Sequence, residues 1–159
     1  MNNIGQIECL TQNRRVKVFT DKNSGLGYRY LGNREDRPDN KNIEEAILHT
    51  YLVGTAGYAE DIVKCAIYKL QSASTNFDKS LYENNKEVYK LLRYGVEVTA
   101  SASERYQRVH FINWDEPEKN DFGIAEEVTV LGNREKRPDI VLYVNGIALG
   151  VLELKPPIT

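Results

Sequence analysis

Asn145-Gly146 stands between two β-rich runs, "DIVLYV" from Asp139 and "IALGVLELK" from Ile147. Such a pair between such runs is the strongest short-range hairpin signal a sequence carries. The hairpin folds Asp139, at the start of the first run, back toward the end of the second. Side chains two apart on a strand share a face, so Glu153 and Lys155 project together. Three charged groups then gather at one end of an otherwise apolar pair of strands. "IVLYV" and "IALGVL" both read as buried.

That grouping has a chemistry. Carboxylates are the hard oxygen ligands Mg²⁺ takes, usually one or two of them with waters and substrate phosphate completing the shell. A metal held by Asp139 and Glu153 polarises a phosphodiester, helps deprotonate a bound water and stabilises the leaving oxygen. A lysine beside it, Lys155, orients the water and offsets the charge growing on phosphorus. The carbonyl of Leu154, between the two side chains, is a further candidate ligand. Taken alone, Pro138-Asp139 followed by Glu153-x-Lys155 suits a salt-bridged strand end at least as well.

The phrase before the hairpin has a near copy. "LGNREDRPDN" begins at Leu31 and "LGNREKRPDI" at Leu131, and over their first nine positions they differ only at Asp36 and Lys136. After Pro38-Asp39 the chain reads Asn-Lys-Asn and enters a helix. Sheet geometry holds no second carboxylate beside Asp39. Residues 21–42 therefore read as a turn-rich loop, and the chemistry belongs to the second phrase.

Elsewhere the patterns are mostly helical. Residues 4–19 read as a helix without clean periodicity. Asn42 is the expected N-cap of the next, with Glu45 completing a capping box. That helix carries Ile43, Ala46, Ile47 and Tyr51 on one face, and Gly57 closes it. A helix over 59–73 shows the stripe Val63, Ala66, Ile67 and Leu70. Another over 79–94 takes Leu81, Tyr82, Val88, Tyr89 and Leu92 as its apolar side and ends at Gly95. Strands follow: "VEVTAS" from Val96, "RVHFINW" from Arg108 with Val109, Phe111 and Asn113 on one side, and "AEEVTVL" from Ala125, with the turn "DEPEKND" from Asp115 before the last. Helices first and a strand meander after predict an α+β fold, with helices packed on a mostly antiparallel or mixed sheet.

Composition narrows the function classes. At 159 residues the expectation is one domain spanning 1–159. A net charge of −2 lacks the basic excess of a stand-alone nucleic-acid binder. Cys9 and Cys65 match neither a zinc pattern nor a disulfide framework and read as buried reduced thiols. His49 and His110 are isolated. No apolar run approaches a membrane span and no leader pattern is present, so a cytoplasmic location is expected.

The stretch "KRPDIVLYVNGIALGVLELK" closely resembles the nuclease motif of type I restriction enzyme R (HsdR) subunits, members of the PD-(D/E)xK nuclease superfamily. "IGQIECLTQNRRVKVF", "LGYRYLGNREDR", "NIEEAILHTYL", "LYENNKEVYKLLRYGVEV" and "NDFGIAEEVTV" resemble the N-terminal region of the same family, in the same order. The resemblance implies a PD-(D/E)xK core in which Asp139 and Glu153 bind Mg²⁺ and Lys155 is the catalytic lysine. It further implies a helix glutamate in the metal site, matched by Glu44 or Glu45, with Glu44 preferred. The bland reading of that glutamate is a first-turn carboxylate favoured by the helix dipole. The implied reaction is cleavage of unmodified double-stranded DNA, coupled in the whole subunit to ATP-dependent translocation. Methyltransferase and specificity subunits are the implied partners. After "ELK" the family continues into a helix that completes the site, where this chain reads Pro156-Pro157-Ile158-Thr159. No Gly-x-x-x-x-Gly-Lys-Ser/Thr phosphate loop appears either. The corresponding expectation is a fragment with a C-terminally incomplete core, which need not cleave DNA by itself.

Three rivals stay open at this point. One is a non-catalytic docking fragment of the same subunit, which folds without binding Mg²⁺. Another is a different PD-(D/E)xK enzyme, such as a repair nuclease. The third is an interaction domain with a fortuitous motif, which leaves the match along the rest of the chain unexplained.

Overall fold

The computed structural model describes residues 3–37, 40–100, 105–130 and 136–154, with the backbone alone for 3–9 and 11. The chain divides into two compact units, Met1–Asn42 with Asp121–Thr159, and Ile43–Asn120. The architecture is α+β, as expected. Among the described residues no helix is long and apolar enough to cross a membrane.

The first unit holds helix α1 (Asn3–Thr20) and a sheet of four strands, β1 (Arg29–Asn33), β4 (Phe122–Glu126), β5 (Ile140–Val144) and β6 (Ile147–Leu152), in the order β1-β4-β5-β6. β4, β5 and β6 pair antiparallel, while β1 runs parallel to β4, so the sheet is mixed. The hairpin forms where Asn-Gly placed it. Asn145 and Gly146 have φ of 52° and 83°, the two left-handed residues that a two-residue turn needs to match strand twist. Asn145 is fully buried, and its side-chain oxygen accepts the Asp121 N–H at 2.7 Å.

Residues alternate across the sheet. Ala125, Val128, Val141 and Tyr143 form a cluster on one face, packed by Leu31, Val130 and Ala148. Ile124 and Ile140, on the opposite face, are fully buried as well. Burying each such side chain contributes about 1.5–3 kcal/mol before entropy is set against it. An aromatic ladder of Phe19, Tyr28 and Phe122, with ring centroids 5.3 and 5.2 Å apart, ties the end of α1 to the start of β4.

Three features of this unit depart from expectation. The segment 21–42 is not loop throughout, because β1 lies within it. Its side chains are half-exposed, so it lacks the apolar alternation that marks a strand. The third strand candidate starts earlier than Ala125 and stops at Glu126, because Glu127 takes a φ of 48° and turns the chain out of the ladder. β6 is also less buried than its apolar letters suggest. It is the last strand of the sheet among the described residues, and Leu149 and Val151 are exposed.

The second unit packs α2 (Glu45–Thr50), α3 (Glu60–Ser74) and α4 (Leu81–Tyr94) with an antiparallel pair, β2 (Val96–Val98) and β3 (Gln107–Val109). α3 buries Ile62 together with the whole expected stripe, Val63, Ala66, Ile67 and Leu70. α2 departs from expectation. Its N-cap is Glu44 without a side-chain cap bond, while the Asn42 carbonyl accepts the N–H of Ala148 at 2.8 Å. A wide π turn over Tyr51–Thr55 continues the helix, and Gly57 follows at φ 76°. Of the expected face, Ile43 and Tyr51 are buried, Ile47 is half-buried and Ala46 is exposed, while Leu48 and Leu52 are buried as well.

α4 starts at a full capping box, Ser80 with Glu83, and ends at Gly95 as expected. Its buried line is Asn84 and Leu92, with Val88 half-buried between them. Leu81, Tyr82 and Tyr89 are exposed, contrary to their reading as an apolar side. Val109 and Phe111 are fully buried as expected, although β3 ends at Val109. Cys65 is a free thiol, only half-buried, and the Cys9 side chain lies outside the described residues.

Candidate active site

The β5–β6 ladder runs through Ile140 opposite Leu152. One step beyond that pair stand Asp139 and Glu153, on the face that carries Val141 and Val151. Residues directly opposite in such a ladder have Cβ atoms about 5 Å apart. The backbone N–H of Leu154 donates to Asp139 Oδ2 at 2.5 Å. Asp139 is half-buried and Glu153 is exposed, so the pair stands where the sheet opens to solvent. Lys155 lies outside the described residues, as does the Pro38-Asp39 pair of the first phrase.

Asp139 is held from the other side by the chain just after β4. Its carbonyl accepts the N–H of Glu127 at 3.0 Å. The Glu127 carboxylate in turn binds Arg137 Nε at 3.0 Å and accepts from Gln12 Nε2 at 3.1 Å. Arg137 also pairs with Glu35. Glu35 and Arg137 belong to the two near-identical phrases, so the phrases meet through an ion pair between non-equivalent positions. The first phrase is a brace. Thr129 Oγ1 donates to the Glu35 carbonyl at 2.9 Å, and Asn40 Nδ2 donates to the carbonyls of Arg34 and Thr129 at 2.9 and 3.1 Å. The Arg34 guanidinium is buried over the Tyr143 ring, 5.2 Å from its centroid.

Nothing in the residue types singles out Glu127, which lies in a run that reads as plain strand. A second carboxylate carries no sequence signal either. Glu126, buried in β4, accepts the Tyr30 hydroxyl at 2.5 Å. Burial, then this hydrogen bond and the neighbouring negative charge, push the Tyr30 phenol up to about 12.

Glu44 lies in the second unit as the N-cap of α2, with its side chain buried. Glu45 is exposed and accepts from Gln71 Nε2 at 3.0 Å. The two glutamates thus differ in kind: one is enclosed, the other belongs to a surface bond between α2 and α3. Among the described residues no three His, Cys, Asp or Glu side chains converge as a metal cluster. Asp139 and Glu153 are nonetheless a donor set that fits Mg²⁺, which is held by one or two carboxylates with water and phosphate filling the rest of its shell.

The chain matches the family model described as "Type I restriction enzyme R protein N terminus (HSDR_N)" over residues 11–158. It is 26% identical over 143 residues to a putative type I restriction enzyme MjaIXP endonuclease subunit of Methanocaldococcus jannaschii, a match covering 83% of this chain and 14% of that protein. It is 30% identical over 93 residues to the type I restriction enzyme HindI endonuclease subunit of Haemophilus influenzae, covering 56% of this chain and 9% of that protein. A putative MjaVIIP endonuclease subunit from M. jannaschii is 37% identical over 65 residues, 40% of this chain and 6% of that protein. The chain thus spans about a seventh or less of these relatives' length. No solved structure matches it. With the family model matched across nearly its whole length, the chain belongs to the family of type I restriction enzyme R protein N termini.

Proposed function

We propose that this chain is the DNA-cleaving part of a type I restriction enzyme R subunit, hydrolysing phosphodiesters with Mg²⁺. The observation that carries the reading is the hairpin register, which sets Asp139 beside Glu153 at the strand end, with Leu154 bonded to Asp139. Asp139 and Glu153 are the residues that would hold the ion, with the Leu154 carbonyl as a further ligand. Glu44 joins this proposal on the family resemblance alone. Mg²⁺ bound there supplies Lewis-acid chemistry, polarising the scissile phosphate and lowering the pKa of a bound water. Lys155 orients the attacking water and offsets charge on the phosphorus.

The brace behind Asp139 supports its part. A ligand set acts well when the groups around it hold its geometry, and the Glu127 amide does so through the Asp139 carbonyl. The reading extends to the whole subunit as a proposal. Cleavage acts on unmodified double-stranded DNA in the cytoplasm, coupled to ATP-dependent translocation by domains beyond this chain. Methyltransferase and specificity subunits are its partners. Little local sequence preference is expected at the cut, because the chain carries no recognisable base-reading motif.

Calorimetric titration of the chain with Mg²⁺ tests the ligand set. Binding that is lost in Asp139→Asn and Glu153→Gln, with unchanged far-UV circular dichroism, supports the proposal. A folded chain that binds no Mg²⁺ in the presence of DNA would sink it and favour the docking reading.

A further inference from the structure

The second unit carries a cavity of about 430 Å³ that the cleavage chemistry does not use. Tyr51 and Ile112, both buried, contribute its apolar lining, and Trp114, Arg93, His110 and Lys119 supply its aromatic and cationic groups. The indole of Trp114 is anchored, because its Nε1–H donates to the Leu92 carbonyl at 2.9 Å. It nonetheless remains 47% exposed. The Arg93 guanidinium lies over the same ring, 5.3 Å from its centroid. Among the described residues Arg93 has no carboxylate partner. Lys119 is held 2.6 Å from Glu116, a contact that fixes its ammonium and offsets part of its charge. Asp115 is the one carboxylate among the lining residues.

An anchored, half-open indole beside fixed cations is what a stacked base and its phosphate require. Base–aromatic stacking tolerates any base, since each has a π face, and flanking cations follow the backbone. We propose that this cavity binds an unpaired DNA nucleotide, with the base stacked on Trp114 and the phosphate met by Arg93 and Lys119. His110 stands at the same wall as a further donor. The ligand being DNA rests on the proposed function, whereas the stacking site needs neither a metal nor a cut.

Trp114 is the single tryptophan among the 159 residues, so its fluorescence reports on this cavity directly. The chain is titrated with a short oligothymidylate at low salt and again at higher salt. The expected result is saturable quenching whose midpoint rises with salt. Arg93→Ala, at an exposed position, should raise the midpoint and make it less steeply dependent on salt, the mark of one lost phosphate contact. Arg93→Lys should recover part of the loss. Quenching should persist with EDTA in place of Mg²⁺, which separates this site from the cleavage reading. Absence of quenching overturns the proposal. So does quenching by an abasic oligomer at the same midpoint, or quenching indifferent to Arg93→Ala in a variant of native circular dichroism.

Discussion

The amide of Leu154 donates to Asp139 Oδ2 at 2.5 Å, so the chain just past the return strand is tied to the residue that opens the hairpin's first strand. A carboxylate has two oxygens and several lone-pair sites. One bond to a backbone N–H therefore orients Asp139 without exhausting it. Substitution by Asn keeps an acceptor for Leu154 while removing the charge, whereas Ala removes both. Asp139→Ala should cost about 1–3 kcal/mol of stability, the range for an unsatisfied half-buried amide. Asp139→Asn should cost less, and urea denaturation of the two variants checks the order.

Glu127 adopts a φ of 48° while its amide holds the Asp139 carbonyl and its carboxylate holds Arg137. Left-handed backbone costs a non-glycine residue about 1 kcal/mol, and a partly exposed ion pair returns at most about that much. Glu127→Gly should accordingly stay within about 1 kcal/mol of the native protein. Glu127→Val, with a branched side chain in the same conformation, should lose about 2 kcal/mol or more. Thermal melts of both variants measure the difference, and equal stability of the two would refute the strain argument.

The hairpin turn offers a sharper case. Gly146 has a φ of 83°, and Asn145 is buried with a φ of 52°. Gly146→Val should cost about 1–2 kcal/mol through the left-handed backbone alone. Asn145→Ala should cost about 1–3 kcal/mol, because the Asp121 amide then loses its acceptor. Denaturant midpoints of these variants check both values.

Much of the fold is legible in the order of the amino acids. The Asn-Gly turn, the α3 stripe and the Ser80-to-Tyr94 helix each rest on a local rule that tertiary packing does not override. β1 is hidden because an edge strand with half-exposed side chains carries no apolar period. The exposed Leu81, Tyr82 and Tyr89 mislead for the opposite reason: apolar letters on α4 do not reveal which side its neighbours leave open. At the site, the placing of Asp139 beside Glu153 follows from strand period and turn length. The brace does not, since Glu35, Glu127 and Arg137 are joined by no spacing rule. The use of the first phrase as a partner of the second is equally hidden, because the repeat suggests equivalence and the contact pairs non-equivalent residues.

The capping box at α4 gives a pH dependence. The Ser80 hydroxyl, then the Ser80 amide, hold the Glu83 carboxyl below its ordinary value. A depressed carboxylate stabilises the fold above its unfolded pKa, and that contribution disappears as pH falls through the lower folded value. Ser80→Ala should therefore lower stability at neutral pH, where the cap bond is present, and flatten the acid limb of the stability profile. Stability measured from neutral pH into the acid range in both proteins checks it. An unchanged acid limb would show that the box contributes nothing to it.

Cleavage of unmodified plasmid DNA by the assembled restriction complex, with ATP and Mg²⁺, decides whether Asp139 and Glu153 hold the catalytic ion. Native R subunit is compared with Asp139→Asn and Glu153→Gln. Each variant should still assemble and hydrolyse ATP but cleave roughly 100-fold more slowly or not at all, since losing a ligand should cost at least what losing its outer support does. Cleavage at the native rate by either assembled variant would remove that residue from the chemistry and, with it, the proposed metal site.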